Sequence, residues 1–238
     1  TPIGTGFLIN SDGANCLITA KHVVFQNEGK IKDQLFTLCN LKQGGIEALP
    51  FADIIANGVE WVTHPEKDIA AILFPFRETY DVAVFLLNLF EEFNGIREGD
   101  DVFLLGFPLR IITPSNVKPM VRSGIVALKL EDDTFLIDAN VFPGNSGSPV
   151  FFRPCPFQLR DKGVEIDKIR PAKLIGVTTS YVPYRDEAIS KQTGMTRIIF
   201  EENSGLGRVL SVRYIKEILN SETFQEIKDR IVPKKSPN

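Results

Sequence analysis

Short apolar segments alternate with turn-forming residues along most of the chain. The segments are rich in β-branched and aromatic residues, as in IGTGFLI and NCLITA, which flank the turn-forming sequence NSDG. Many short strands at this spacing are typical of an all-β barrel or sandwich. The pattern therefore predicts an all-β fold.

This alternation of apolar segments and turns is interrupted at two places. The segment from about residue 78 to 99 becomes polar and turn-rich at its end, in NLFEEFNGIREGDD, and we interpret it as the crossover between two halves. Near the end, Val212, Ile215 and Ile218 fall at helical spacing, which predicts a C-terminal helix or helix pair packed on the β body. We therefore expect one domain built from three consecutive units. These units are residues 1–95, 96–205 and 206–232.

Composition narrows the function classes. The 238 residues carry a net charge of -3, which gives no electrostatic reason to expect nucleic acid as a partner. The longest apolar runs are too short to cross a bilayer. The chain starts with Thr1 and shows no signal-peptide pattern, so we expect a processed piece from which any targeting segment has been removed, and the compartment stays open.

The three cysteines do not form a recognisable framework. Cys16, Cys39 and Cys155 are an odd number at wide spacing, which matches neither a disulfide scaffold nor a zinc site. We expect three free thiols. The sequence likewise indicates no cofactor and no metal.

The sequence VFPGNSGSPVFF places Ser146 between two glycines, just before an apolar run. A nucleophilic serine needs a base, and the base needs an orienting carboxylate. Only two histidines are present. His22 follows directly after an apolar strand in LITAKHVV, whereas His64 precedes a proline in a polar loop and is expected to be a surface residue. Asp68 begins the apolar strand KDIAAILF and is the candidate carboxylate.

These motifs resemble the trypsin-like serine proteases of the chymotrypsin fold, and most closely the bacterial HtrA/Deg-like branch. TGFLIN and CLITAKHVV resemble the strands that lead to the catalytic histidine, KDIAAILF the aspartate strand, IDANVFPGNSGSPVFF the serine loop and LIGVTTSY the substrate strand. The order His, Asp, Ser is also that of this family. The resemblance implies two six-stranded antiparallel β-barrels with a C-terminal α-helix. The first barrel would carry His22 and Asp68, and the second would carry Ser146.

The resemblance also implies the roles of individual residues. His22 would act as the base, Asp68 would orient it, and Ser146 would be the nucleophile. Gly144 permits a backbone conformation in which its N–H and that of Ser146 turn inward as a pair, so the oxyanion hole is expected within Gly144, Asn145 and Ser146. Asn145 stands where digestive trypsins carry an aspartate that pairs with a newly cut N-terminus, so we expect no such activation switch.

Specificity follows from the same resemblance. The candidate substrate-binding residues are Asn140, Val141, Thr178, Thr179 and Ser180. They provide no acid, which favours an apolar or small polar pocket over one for Arg or Lys.

The sequence thus predicts a serine endopeptidase that acts on polypeptides through an acyl-enzyme intermediate. Two alternatives remain. One is a catalytically silent module that binds extended peptides, which usually lacks a triad residue. The other is an ester hydrolase. The HtrA-like branch also makes flanking regulatory domains or a homo-oligomer possible.

Overall fold

The computed structural model describes residues 3–26, 29–110, 115–155, 158–160, 163–165 and 170–232. The fold is mostly β, as the alternating pattern predicts. The elements of the N-terminal half are β1 (Gly6–Ser11), β2 (Ala14–Thr19), α1 (Lys21–Val24), β3 (Phe36–Asn40), β4 (Ile46–Pro50), α2 (Phe51–Ala56), β5 (Val62–Thr63), β6 (Ala70–Leu73) and β7 (Val84–Leu86).

The N-terminal half contains a five-stranded sheet in the order β5-β6-β2-β1-β7. The expectation of a six-stranded antiparallel barrel is not met among the described residues, for two reasons. Strand β7, from the crossover segment, pairs in parallel with β1. Strands β3 and β4 pair with each other as a separate hairpin instead of extending the sheet.

The C-terminal half forms a closed six-stranded barrel in the order β10-β15-β14-β11-β8-β9, as expected for this half. A separate two-stranded hairpin, β12 with β13, follows β11. The strands are β8 (Asp101–Gly106), β9 (Met120–Lys129), β10 (Thr134–Asp138), β11 (Pro149–Phe152), β12 (Gln158–Arg160), β13 (Gly163–Glu165), β14 (Leu174–Ile189) and β15 (Thr196–Ser211).

Strands β14 and β15 are far longer than the barrel requires. Their barrel portions pair with β11 and β10, but from Pro183 to Thr196 the two strands pair only with each other. This projecting ribbon exposes large apolar side chains, including Tyr184 (58% exposed) and Phe200 (52% exposed). The sequence pattern indicates the strands but not their projection from the barrel.

Two helices follow the barrel, α3 (Val212–Leu219) and α4 (Glu222–Ile231). The predicted helical spacing is correct, since Val212, Ile215 and Ile218 are all buried. Strand β15 continues through Ser211, so the helical part starts at Val212 instead of residue 206. The buried face of α3 packs into the same hydrophobic core as the N-terminal sheet, and a second core fills the closed barrel.

All three cysteines are free, as expected. Cys16 and Cys39 are buried, and burial raises the pKa of the Cys16 thiol to about 12 and that of Cys39 to about 11. Buried thiols of this kind behave as small apolar side chains. None of the helices in the described part of the chain has the length and apolar character needed to span a membrane.

Candidate active site

The end of β2 and the start of β6 bring His22 and Asp68 together. These two strands pair antiparallel, with Thr19 opposite Ala70. The one-turn helix α1 places His22 just beyond the first strand, and Asp68 lies just before the second. Because residues near paired strand ends share one edge of a sheet, sequence positions 46 residues apart become neighbours.

Asp68 holds His22 through both of its carboxylate oxygens. Nδ1 of His22 lies 2.6 Å from Oδ2 of Asp68, and the backbone N–H of His22 donates to Oδ1 at 2.9 Å. A carboxylate only accepts, so Nδ1 carries the hydrogen and Nε2 of the neutral ring is the free acceptor. None of the described residues forms a hydrogen bond to this Nε2 atom. A histidine in this tautomer can take up a proton at Nε2.

The pair lies at an open surface, with the His22 side chain 50% and the Asp68 side chain 39% exposed. Partial burial alone would raise the pKa of Asp68. The hydrogen bonds from the His22 side chain and backbone outweigh this effect, and the pKa of Asp68 lies below its ordinary value. Asp68 is therefore ionised near neutral pH and can stabilise a positively charged imidazole.

The serine loop begins with a tight turn over residues 142–145. The N–H of Asn145 donates to the carbonyl of Phe142 at 2.9 Å, and Gly144 has φ +100°. Proline at the second position and a positive φ at the third are the features of a type II turn. The carbonyl of Pro143 accepts from the N–H of Leu109 at 3.0 Å. Since the C=O and N–H of a trans peptide point in opposite directions, the Gly144 N–H faces away from Leu109.

The N–H groups of Gly144 and Ser146 find no backbone acceptor among the described residues, while that of Asn145 is used in the turn. Two neighbouring N–H groups, those of Gly144 and Ser146, are therefore left without a backbone acceptor among the described residues. The Asn145 side chain is fully buried, and its amide has no hydrogen-bond partner within the described part of the chain.

Thr5 ties the serine loop to the N-terminal sheet. Its N–H donates to the Ser146 carbonyl at 2.8 Å and its hydroxyl donates to the Gly144 carbonyl at 2.7 Å. Sequence reasoning missed this residue, although Thr5 is the first residue of the family motif TGFLIN. Thr5 therefore fixes the backbone on both sides of Asn145.

Gly147 allows the serine loop to approach the strand that leads to His22. A Cβ atom here would overlap the Thr5 carbonyl, would lie 2.5 Å from the Thr19 hydroxyl and would lie 3.1 Å from the Ala20 nitrogen. Its φ of +87° also favours glycine. The loop thus packs directly against the residues that precede His22.

The hydroxyl of Ser146 donates to the Thr179 carbonyl at 3.0 Å. Within the described residues it forms no hydrogen bond to His22. The predicted serine–histidine bond is thus absent from this state, although the packing of Gly147 brings the two segments into contact. Catalytic hydrogen bonds are often loose before substrate binds and tighten only in the complex.

The candidate substrate-binding residues differ in exposure. Asn140 and Ser180 are exposed, whereas Val141 and Thr178 are buried, so the latter two present little side-chain surface to a substrate. Thr179 is also buried and meets Ser146 through its backbone carbonyl.

Sequence reasoning also missed an acid near Asn140. At Gly205, a Cβ atom would lie 3.4 Å from Oδ1 of Asn140 and 3.8 Å from Oδ1 of Asp138. Two oxygen-bearing side chains therefore converge beside this glycine. Asp138 sits two residues before Asn140, and the family motif assigned it no role.

His64 is not the surface residue that its polar context predicts. It is only 8% exposed, and both of its ring nitrogens have hydrogen-bond partners. The polar residues around it misled the prediction because they belong to a turn that folds over the ring.

Comparison with known proteins identifies the family of the chain. The family model for the trypsin-like peptidase domain matches residues 4–153, a range that includes His22, Asp68 and Ser146. No curated protein sequence matches the chain at a significant level.

Two solved structures show the same fold. A variant of the HtrA-type protease AlgW with a decapeptide is 19% identical, with a TM-score of 0.52 over 92% of this chain and 50% of that chain. The serine endoprotease from Yersinia pestis is 18% identical, with a TM-score of 0.52 over 95% of this chain and 58% of that chain. The chain thus spans 50% to 58% of the length of these two proteases. The family match over most of its length shows that the chain belongs to the trypsin-like peptidase family.

Proposed function

We propose that the chain is a serine endopeptidase that hydrolyses peptide bonds through Ser146, His22 and Asp68. The observation that carries the proposal is the packing of the serine loop against the strand end that bears the His22–Asp68 pair. The three side chains come from distant positions in the sequence. Fold alone does not imply this activity, so the argument rests on the site.

The reaction would begin with rotation of the Ser146 hydroxyl from the Thr179 carbonyl towards Nε2 of His22. As Oγ attacks the substrate carbonyl, Nε2 accepts the hydroxyl proton, and Asp68 stabilises the imidazolium through Nδ1–H. The N–H groups of Gly144 and Ser146 stabilise the developing oxyanion. The imidazolium then protonates the leaving amine as the C–N bond breaks, which leaves an acyl-enzyme. A water molecule, deprotonated by His22, hydrolyses this ester and restores Ser146.

The units proposed from the sequence fit this reaction. Residues 1–95 would supply the base and its carboxylate, residues 96–205 the nucleophile and the oxyanion donors, and the substrate would lie between them. The substrate-binding strand would be β14 at Thr179 and Ser180. The substrate is proposed to be a polypeptide, because an extended chain can pair with an exposed strand edge at this point.

We propose a preference for aliphatic or small residues before the cleaved bond, because Asn140 carries no charge to match Arg or Lys. Asp138, the acid near Asn140, is the residue that could provide such a charge, so it allows a specific test of this preference. A peptide-library profile dominated by Arg or Lys would overturn this preference. It would then assign specificity to Asp138, and Asp138→Asn should remove the basic preference while Asn140→Ala should not.

A silent peptide-binding module is the second candidate, because the Ser146 hydroxyl is engaged by Thr179 instead of His22. Incubation with unfolded casein separates the two functions. The endopeptidase should release internal fragments that mass spectrometry identifies, and Ser146→Ala should release none. If casein stays intact and binds both the wild type and Ser146→Ala, the result would instead support the silent module.

A further inference from the structure

We propose that His64 is a positioning residue for the active site: its ring holds the turn that carries Asp68 and connects that turn to helix α3. This inference rests on the proposed function, since it concerns how Asp68 is held against His22. His64 itself lies away from the reacting atoms. It would act only through the backbone of the residues between it and Asp68.

The contacts of the ring fix its tautomer. Nδ1 of His64 accepts hydrogen bonds from the backbone N–H groups of Glu66 at 3.1 Å and Lys67 at 3.0 Å. Nε2 lies 2.8 Å from Oε2 of Glu217. Because two N–H groups point at Nδ1, this atom carries no hydrogen, and Nε2–H donates to the carboxylate. The assigned tautomer is therefore the opposite of that of His22.

These contacts hold the backbone on both sides of Asp68. The two N–H groups bonded to Nδ1 belong to the residues directly before Asp68. The backbone N–H of His64 donates to the carbonyl of Ile69 at 3.1 Å, and the N–H of Ile69 donates to the carbonyl of Lys67 at 2.9 Å. The side chain of His64 therefore satisfies donors inside the turn, as Asn and Asp side chains do in many turns.

Helix α3 fixes the other side of the ring. Glu217 accepts from His64 and, through its second oxygen, from Arg213 at 2.7 Å. Arg213 also pairs with Asp133 at 2.5 Å, and the Tyr214 ring meets the imidazole edge-on at 5.3 Å. Burial alone would raise the pKa of Glu217, but the hydrogen bonds from Arg213 and His64 outweigh it and keep the pKa below its ordinary value. A charged carboxylate thus holds Nε2–H in place.

The consequence for catalysis is geometric. Asp68 meets His22 through two hydrogen bonds, one of them only 2.6 Å long, so a small displacement of the turn weakens both. A misplacement of about 1 Å caused by a remote substitution can lower the rate by roughly 100-fold. Removal of the acceptor at Nδ1 frees two backbone donors next to Asp68 and permits such a displacement.

Two substitutions separate the two ring nitrogens. In His64→Asn the side-chain oxygen can replace Nδ1 as the acceptor of the turn, but the side chain is too short to reach Glu217. In His64→Gln the terminal amide reaches Glu217, but no acceptor occupies the position of Nδ1. We expect His64→Asn to retain kcat/KM within about threefold and His64→Gln to lose roughly 10- to 100-fold, mainly in kcat.

The pH profile distinguishes positioning from a general loss of structure. If Asp68 moves, the imidazolium of His22 loses stabilisation, so the limb of the kcat/KM profile that reports the base should shift to lower pH in His64→Gln. The limb should stay in place in His64→Asn. Equal activity and equal profiles in wild type and His64→Gln, or an equal loss in both variants, would overturn the inference.

Histidine-labelled ¹⁵N NMR tests the inference without reference to activity, because the chain contains only two histidines. At pH 8 the wild type should show His64 with its hydrogen on Nε2 and His22 with its hydrogen on Nδ1. A hydrogen on Nδ1 of His64 would refute the proposal, even if the variants fail to fold.

Reaction of Ser146 with a fluorophosphonate tests the proposed function separately. An unreactive serine with these tautomers would remove the proposed function and leave the structural assignment of His64 intact.

Discussion

The two histidines of this chain form the same kind of pair in two different settings. His22 lies 2.6 Å from Asp68 and its side chain is half exposed, whereas His64 lies 2.8 Å from Glu217 and its side chain is only 10% exposed. The difference is in the second ring nitrogen. Nε2 of His22 accepts no hydrogen bond from the described residues, whereas Nδ1 of His64 accepts hydrogen bonds from two backbone N–H groups. Under the proposed mechanism only His22 has a ring nitrogen free to exchange a proton with a serine, so only this pair can serve as a base.

The strongest test of this comparison is removal of each histidine. His22→Ala and Ser146→Ala should each remove nearly all hydrolysis, by up to about a million-fold in kcat, and the double variant should be scarcely worse because triad members act as a unit. His64→Ala should lose far less. Steady-state kinetics on folded variants measure all four. A loss in His64→Ala equal to that in His22→Ala, with intact folding, would contradict our choice of base.

The second test addresses the carboxylate. Asp68→Asn should lower kcat by about 10,000-fold, because an amide at this position favours the wrong tautomer of His22. Glu217→Gln is the matched control in the other pair, since its amide oxygen can still accept from Nε2–H of His64. It should change kcat by less than about tenfold. Comparable losses in the two variants would remove the distinction between the pairs.

In stability the two histidines should rank in the opposite order, with the larger loss in His64→Ala. His64→Ala leaves two turn N–H groups without their acceptor and leaves Oε2 of Glu217 without the His64 donor, while Arg213 still pairs with Oε1. This should cost about 1–3 kcal/mol in the free energy of unfolding. His22→Ala removes a half-exposed side chain and should cost about 0.5 kcal/mol or less. Urea unfolding measures both values. A larger loss for His22→Ala would show that its role is structural.

The smallest of these effects should be the dependence of the free energy of unfolding on pH in the acid range. Hydrogen bonds from His22 keep the pKa of Asp68 below its ordinary value of 3.8. A carboxylate with a lowered folded-state pKa stabilises the protein above its unfolded pKa, and this contribution is lost as pH falls through the folded value. Wild type should therefore lose more stability than Asp68→Asn as pH falls below about 4. The difference will be modest, because the pair is partly exposed.

The sequence predicted the parts of this molecule that depend on local pattern. The strands, the helical spacing of α3 and the family motifs around His22, Asp68 and Ser146 all follow from residues near one another in the chain. The strands and the helix are set by burial of alternating or helically spaced apolar side chains, whereas the motifs follow from resemblance to the family.

The parts that were missed depend on distant partners. In the N-terminal sheet β7 joins β1 in parallel, and β3 and β4 pair with each other instead of extending the sheet. No local pattern indicates which strand will join an edge. The polar sequence around His64 hid a buried ring, because its partner Glu217 lies 153 residues away. Thr5 was overlooked for the same reason, since its role depends on Gly144 and Ser146.

The central claim is that Ser146 is a nucleophile activated by His22. A fluorophosphonate probe, with the modified peptide mapped by mass spectrometry, tests it most directly. Wild type should be labelled at Ser146 alone, Ser146→Ala should not be labelled, and labelling of His22→Ala should be greatly slowed. Labelling of His64→Asn should be far faster than that of His22→Ala. Labelling of another residue, or equal labelling rates in wild type and His22→Ala, would contradict it.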